Sequence, residues 1–404
     1  MRLSTYQMTS AGVRQILLRQ ADLQYTQLQL SSQKRVLTPS DDPVAATSIS
    51  FLKTEIEQLE QFNVNAQMSK SGNELEEDVL SSITDILFRV KELMVSVGNG
   101  IYGENELKAL GAEMQERLNE LVGLANTKNS NGDYLFSGSK VKAKPFIQDN
   151  AGNFIYDGDQ TQRKLRISSG VVVPVSDSGF EVFVDVKNGN GKFITGADVA
   201  NTGTGVIVPG SYTAPPQFLV EPYDISFAIG GGGALEYTVT GRTSGTIFAG
   251  PATFQSGADI SFNGIQTVIN GTPAAGDVFT VDPSSSQDLF TGLQNVINAI
   301  DNFVDVPSQR AIFNSTIAAQ EASINMNMQN IDRIRGSLGS RLVAIDTEMN
   351  SNLTLLVTSK SALSDVQDLD VVEASSRFSQ QLTTLEAAQA TFVRVRDLNL
   401  FNFL

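Results

Sequence analysis

Residues 79–97 read Val79-Leu80-Ser81-Ser82-Ile83-Thr84-Asp85-Ile86-Leu87-Phe88-Arg89-Val90-Lys91-Glu92-Leu93-Met94-Val95-Ser96-Val97. Within them Val79, Ile83, Ile86, Val90, Leu93 and Val97 recur at alternating spacings of four and three, the stripe of an amphipathic helix. Gly98, Gly100 and Gly103 then interrupt the pattern, and Leu107, Leu110, Met114, Leu118 and Leu121 resume it. Two stripes joined by a glycine turn predict an antiparallel helix pair.

Upstream, Ser40-Asp41-Asp42-Pro43 marks another helix start. The Asp42 carboxylate can accept from free N–H groups of the first turn, and Pro43 suits a position where no intrahelical N–H is needed. Ile49, Leu52, Ile56 and Leu59 follow as a seam. Far downstream, Ile331, Ile334, Leu338, Leu342, Ile345, Met349, Leu353 and Leu356 form a long stripe that must find an apolar face, which the N-terminal helices supply. Between the flanks the helical period disappears. Of 33 Gly, 21 fall in residues 140–288, as do 9 of the 12 Pro. Alternation replaces it at Val182, Val184 and Val186, at Ile225, Phe227 and Ile229, and at Leu235, Tyr237 and Val239. Asn131-Gly132 before Tyr134-Leu135-Phe136 has the form of a turn entering a strand.

The fold class expected is therefore multidomain α+β, a long helical bundle built from both chain ends with an inserted central β-rich region, sandwich- or barrel-like. The divisions expected are terminal helices at 1–38 and 370–404, a bundle from 39–139 and 285–369, a β extension at 140–186 and an inserted β domain at 187–284.

Composition restricts the chemistry. His, Cys and Trp are all absent from the 404 residues, which removes imidazole bases, thiol nucleophiles and ordinary structural zinc sites. A net charge of -15 repels nucleic-acid backbone and anionic membrane surfaces alike. No stretch reaches the ~20 apolar residues of a membrane span, and Gln7, Gln15, Arg19 and Asp22 interrupt any Sec-type apolar core near the start. Of the remaining motifs, Gly230-Gly231-Gly232-Gly233 lacks the Lys-Ser/Thr of a phosphate loop and reads as a turn. Asp149, Asn153, Asp157 and Asp159 could offer oxygen ligands to calcium, but not at EF-hand spacing. Asp157 and Asp159 could face one way on a strand as a glycosidase pair, with nothing else in support. No catalytic residue, metal site or cofactor is assigned.

The outermost segments look unfinished. Ile16, Leu23 and Leu30 stand seven apart, yet the companion positions Val13, Gln20 and Gln27 are mostly polar. Phe378, Leu385 and Phe392 also stand seven apart, with Leu382, Ala388 and Val395 filling in, and the chain closes on Leu400, Phe401, Phe403 and Leu404. Helices with so weak a seam are marginal alone, so these ten side chains are the expected assembly interface, with both ends disordered in the monomer. Intramolecular pairing of the two ends is the alternative.

Several of these segments together resemble one family. Met1-Arg2-Leu3-Ser4-Thr5, Gln29-Leu30-Ser31-Ser32-Gln33-Lys34-Arg35-Val36, Pro39 to Ala46, Leu124-Ala125-Asn126-Thr127 with Tyr134-Leu135-Phe136-Ser137-Gly138, and Leu363 to Asp370 are similar to the signatures of the hook-associated protein 3 family, within the flagellin superfamily. Gln33 stands where that family often has Gly. The resemblance implies a non-enzymatic structural subunit of the bacterial flagellum that joins hook to filament, with terminal helices forming a coiled-coil inner tube. It implies hook-associated protein 1, flagellin, further copies in a ring and a flagellar export chaperone as partners. It also implies type III export to an extracellular location without a cleaved signal peptide, and no membrane insertion. A short flagellin, or a secreted adhesin using the β region, are the alternative readings.

Overall fold

In a computed structural model of the chain, the described residues are 5–149, 152–212 and 221–397. Six α-helices are described: α1 Thr5–Ser32, α2 Pro43–Gly98, α3 Glu104–Ala125, α4 Leu289–Asp301, α5 Pro307–Gln367 and α6 Val371–Asp397. The strands lie between α3 and α4. They are β1 Phe146–Gln148, β2 Phe154–Tyr156, β3 Lys164–Arg166, β4 Val172–Pro174, β5 Phe193–Ala197, β6 Val206–Ile207, β7 Ser211–Tyr212, β8 Tyr223–Ile229, β9 Leu235–Gly241, β10 Ile247–Thr253, β11 Asp259–Phe262, β12 Ile265–Asn270 and β13 Val278–Pro283. The chain falls into two compact units, residues 1–64 with 347–404 and residues 65–346, so α2 and α5 contribute to both.

The second unit holds two cores. One is helical: Leu80, Ile83, Val90 and Met94 of α2 meet Leu107, Met114, Leu118 and Leu121 of α3, Phe290 and Leu293 of α4, and Ile317, Ile324 and Ile331 of α5. The α2–α3 turn is closed by Gly100 at φ 69°, a conformation that costs a side chain but not glycine. Phe290 stacks edge-on against Phe146 at 4.9 Å between ring centroids, bringing the β1–β2 hairpin onto the helices.

The other core lies inside a β domain. An antiparallel five-stranded sheet of order β10-β9-β8-β13-β5 lies against β12 and its neighbours β11, β6 and β7. Alternation puts Tyr223, Ile225 and Phe227 inward, with Val239 and Phe279 opposite Ile225 on either side. Ile260, Phe262, Ile265 and Ile269 close the core from the second sheet. The domain rests on α5, whose Ser315 and Ser323 hydroxyls accept from the Ile207 and Gly189 N–H groups at 3.2 and 2.8 Å.

Four expectations change. The helix beginning at Pro43 does not end before residue 79: α2 runs 56 residues unbroken, and its Gly72 allows a close approach to β4, since a Cβ there would sit 2.6 Å from the Val175 carbonyl oxygen. Val182, Val184 and Val186 do not share a strand face. Phe180–Val184 is a π-helical turn with the Asp185 N–H bonded to the Phe180 carbonyl, because Val182 and Phe183 must both enter the core and neighbours on a strand cannot. The Asn131-Gly132 turn leads to a lone bridge, Lys128 to Tyr134, rather than a strand, since Leu135, Phe136 and Ser137 are all buried in succession. In α5 the stripe passes through Asn352 and Ser359, both buried, while Leu353 faces outward. A strict seven-residue repeat from Leu338 through Ile345 to Asn352 and Ser359 explains it, because the seam follows heptad position even where the residue there is polar.

Candidate assembly surface

The first unit is organised by two caps and a clamp. Asp42 Oδ1 accepts from the Ala45 N–H at 3.0 Å and starts α2, as the Asp-Pro pair predicts. That N–H holds the Asp42 carboxyl below its ordinary range. Asp370 caps α6 in the same way, accepting from the Val372 and Glu373 N–H groups at 2.9 and 3.0 Å. Between α1 and α2, Gln33 turns the chain at φ 55°, a left-handed conformation in a residue that carries a Cβ. That turn docks on the α5–α6 junction: the Arg35 N–H donates to the Gln367 carbonyl, the Leu369 N–H to the Gln33 carbonyl, and the Arg35 guanidinium to the Val366 carbonyl. The two chain ends are thereby fixed to one another at this level.

From the clamp α1 and α6 run as a pair. Ile16, Leu23, Leu30, Phe378 and Phe392 are half-buried and Leu385 is buried, so six of the ten expected interface residues line the seam inside one chain. The other four, Leu400, Phe401, Phe403 and Leu404, lie outside the described residues. Gly12 faces Phe392 so closely that a Cβ would come within 2.7 Å of the ring. The companion positions are not Val13, Gln20 and Gln27, which are exposed, but Thr26 and Gln29, which are buried. The helix rotates this way because the Thr26 hydroxyl can return its bond to the Asp22 carbonyl and the Gln29 amide reaches the Arg35 carbonyl at 2.7 Å, satisfying both polar groups inside.

On α1 a second apolar face lies outside the heptad seam, and on α6 a further apolar row, which takes in the companion residue Leu382, borders the seam. Tyr6, Leu17 and Leu28 stand eleven apart on α1 and are 80%, 58% and 58% exposed. Val371, Leu382 and Val393 stand eleven apart on α6, also exposed. Eleven residues at about 100° each make three turns with about 20° to spare, so each set forms one straight row. Val13 and Leu18 widen the α1 row. The signal was present in the Leu17-Leu18 pair, which a single stripe cannot accommodate.

Of the carboxylates considered for chemistry, Asp149 and Asp159 build turns, and Asp157 stands 4.0 Å from the Lys140 ammonium. Asp149 accepts from the Asn153 backbone and amide groups, and Asp159 accepts from the Ser139 and Thr161 N–H groups and the Ser139 hydroxyl, which together hold it at a pKa of about 2. Among the described residues no three or more acidic side chains converge as a metal site would require.

Residues 3–141 match the model of the bacterial flagellin N-terminal helical region. The chain is 31% identical over 188 residues to flagellar hook-associated protein 3 of Salmonella typhimurium, a match covering 46% of this chain and 58% of the relative's length. Its fold is similar to the crystal structure of flagellar hook-associated protein 3 from Legionella pneumophila, with a TM-score of 0.76 and 33% identity, covering 79% of this chain and 98% of the other. A flagellar junction protein from the same organism gives a TM-score of 0.72 at 32% identity, covering 79% and 99%. The fold is thus shared with these homologues over nearly their whole solved length, and the chain belongs to the flagellar hook-associated protein 3 family.

Proposed function

We propose that this protein is a structural subunit of the bacterial flagellum that joins the hook, through hook-associated protein 1, to the flagellin filament, and that it performs no catalysis. The observation carrying this reading is the pair of exposed apolar rows at eleven-residue spacing on α1 and α6. A seam at seven joins the two helices of one chain, and a row at eleven on each remains for helices of neighbouring subunits. Side by side around a tube, copies of α1 and α6 would bury Leu17, Leu28, Leu382 and Val393 against one another. The heptad residues Ile16, Leu23, Leu30, Phe378, Leu385 and Phe392 would hold the pair in register, with Leu400, Phe401, Phe403 and Leu404 extending the interface.

The pair buries little on its own, and helices so weakly covered gain order from added contacts. Both ends would therefore be loose before assembly and firm within it, which suits export as an unfolded chain through the flagellar type III channel with a chaperone covering the ends. The subunit would then stand extracellularly, in a ring of its own copies. A strain lacking the gene should shed monomeric flagellin into the medium and build no filaments, while retaining hooks. Normal filaments in that strain would refute the junction role, and spontaneous growth of long filaments from the purified protein alone would make it a flagellin.

A further inference from the structure

One buried cluster of the second unit contains more negative than positive charge. Glu76 of α2 is fully buried, and both its carboxyl oxygens accept from the Asp177 N–H, at 3.3 and 3.1 Å. Asp177, itself 4% exposed, follows β4. Its carboxylate takes the Arg341 Nη2 of α5 at 3.0 and 3.3 Å and the Gln162 amide at 2.8 Å. Arg341 gives its Nη1 to the Asn73 side-chain oxygen at 2.8 Å, so its two Nη groups go to Asn73 and Asp177. The other charges on these faces are committed elsewhere: Glu77 to Arg335, Lys70 to Asp346 and Glu181 to Arg333.

Two carboxylates and one guanidinium leave a net negative charge out of water, and an uncompensated buried charge is among the most costly features a fold can hold. A single proton removes it. Asp177 already has its cation and its amide donor, whereas Glu76 has only one N–H, so the proton belongs on Glu76. We propose that Glu76 is the neutral acid in the folded protein, donating its proton toward the Asp177 carboxylate, and that the three side chains form a proton-dependent latch holding the β4 to π-turn segment between α2 and α5. Burial drives the Glu76 carboxyl well above its ordinary range, and the Asp177 charge pushes it further than Arg341 draws it back.

The direction of the pH effect follows. The folded state keeps a proton that the unfolded chain releases near pH 4.5, so the stabilisation is complete below that value and is lost as pH rises toward the folded pKa. Within that window the folding equilibrium weakens by up to about tenfold per pH unit. Glu76→Gln carries a permanent N–H donor in place of the acid and still accepts from Asp177.

The test is thermal melting of the full chain from about pH 5 to pH 9, with hydrogen exchange at the Asp177 amide. Wild type should lose melting temperature and Asp177 protection as pH rises. Glu76→Gln should lose that component of the slope and equal or exceed wild type on the alkaline side. Superimposable slopes for the two proteins would overturn the latch. Should the variant not fold, infrared spectra of wild type labelled with ¹³C-glutamate decide: a protonated carboxyl band at neutral pH, disappearing in alkali, supports the proposal, and its absence at neutral pH refutes it.

Discussion

At the scale of single residues, the most informative position is Gln33. Its φ of 55° places a side chain where glycine is favoured, and the turn it makes carries the bond from Leu369 that ties the two ends of the chain together. Relief of left-handed strain is worth about 1 kcal/mol, partly offset by the greater freedom glycine gives the unfolded chain. Gln33→Gly should therefore raise the denaturation midpoint of the purified protein slightly, and a clear fall would show that the side chain makes a contact worth more than the strain. Gly72 sets the opposite case. Ala at this position would press on the Val175 carbonyl, and overpacking of this kind costs about 1–3 kcal/mol, readable as a lower midpoint in urea. In the helical core, Val90 and Leu118 are both fully buried, so an aspartate at either would be an unpaired charge costing more than about 3 kcal/mol. Unchanged melting in both variants would contradict the packing of α2 on α3.

At the scale of elements, the helices were legible because a period of 3.6 persists over many turns: every residue of the Val79 to Val97 stripe is buried. The short central elements were less so. Val182 to Val186 alternates like a strand, yet the core requires two consecutive side chains, and no local pattern reports a requirement set by Phe136, Phe146 and Phe290 from elsewhere in the chain. Similarly, heptad logic found the α1–α6 seam but mistook its companion positions, because Thr26 and Gln29 are polar and enter the seam only through bonds to the backbone. It counted Leu382 among the companions of the α6 seam but left out Leu17, Leu28, Val371 and Val393, and so did not see the rows at eleven. These rows make a sharp prediction. Leu17→Asp and Leu28→Asp alter side chains already 58% exposed, so monomer melting should move by less than about 0.5 kcal/mol, while assembly and motility should be lost. Leu385→Asp, at the buried seam, should instead destabilise the α1–α6 pair itself. If Leu17→Asp and Leu28→Asp swim normally, the exposed rows are not the interface.

At the scale of the whole chain, stability is unevenly distributed, and the proposed function depends on that unevenness. The β domain has a core of its own and meets α5 through hydrogen bonds to Ser315 and Ser323, so removal of residues 187–284 should leave the helical core folded, with its helical circular dichroism intact and a reduced melting temperature. The ends differ from both cores. Residues 75–125 bury Leu80, Ile83, Leu87, Val90, Met94, Leu107, Met114 and Leu118 almost completely, whereas α1 and α6 together bury only Thr26, Gln29, Ala374 and Leu385 among their described side chains. Local opening is governed by how much apolar surface each opening exposes, so the free energy to open the ends should be far below that of the core. In a verified monomer, amides of residues 5–32 and 371–397 should exchange fast and those of 75–125 slowly. Assembly should slow the ends selectively, because neighbours then cover Leu17, Leu28, Leu382 and Val393, and each new subunit adds apolar burial where one chain has almost none. Strong protection of both ends in the monomer would mean that the α1–α6 pair is self-sufficient, and that assembly joins finished helices instead of completing them.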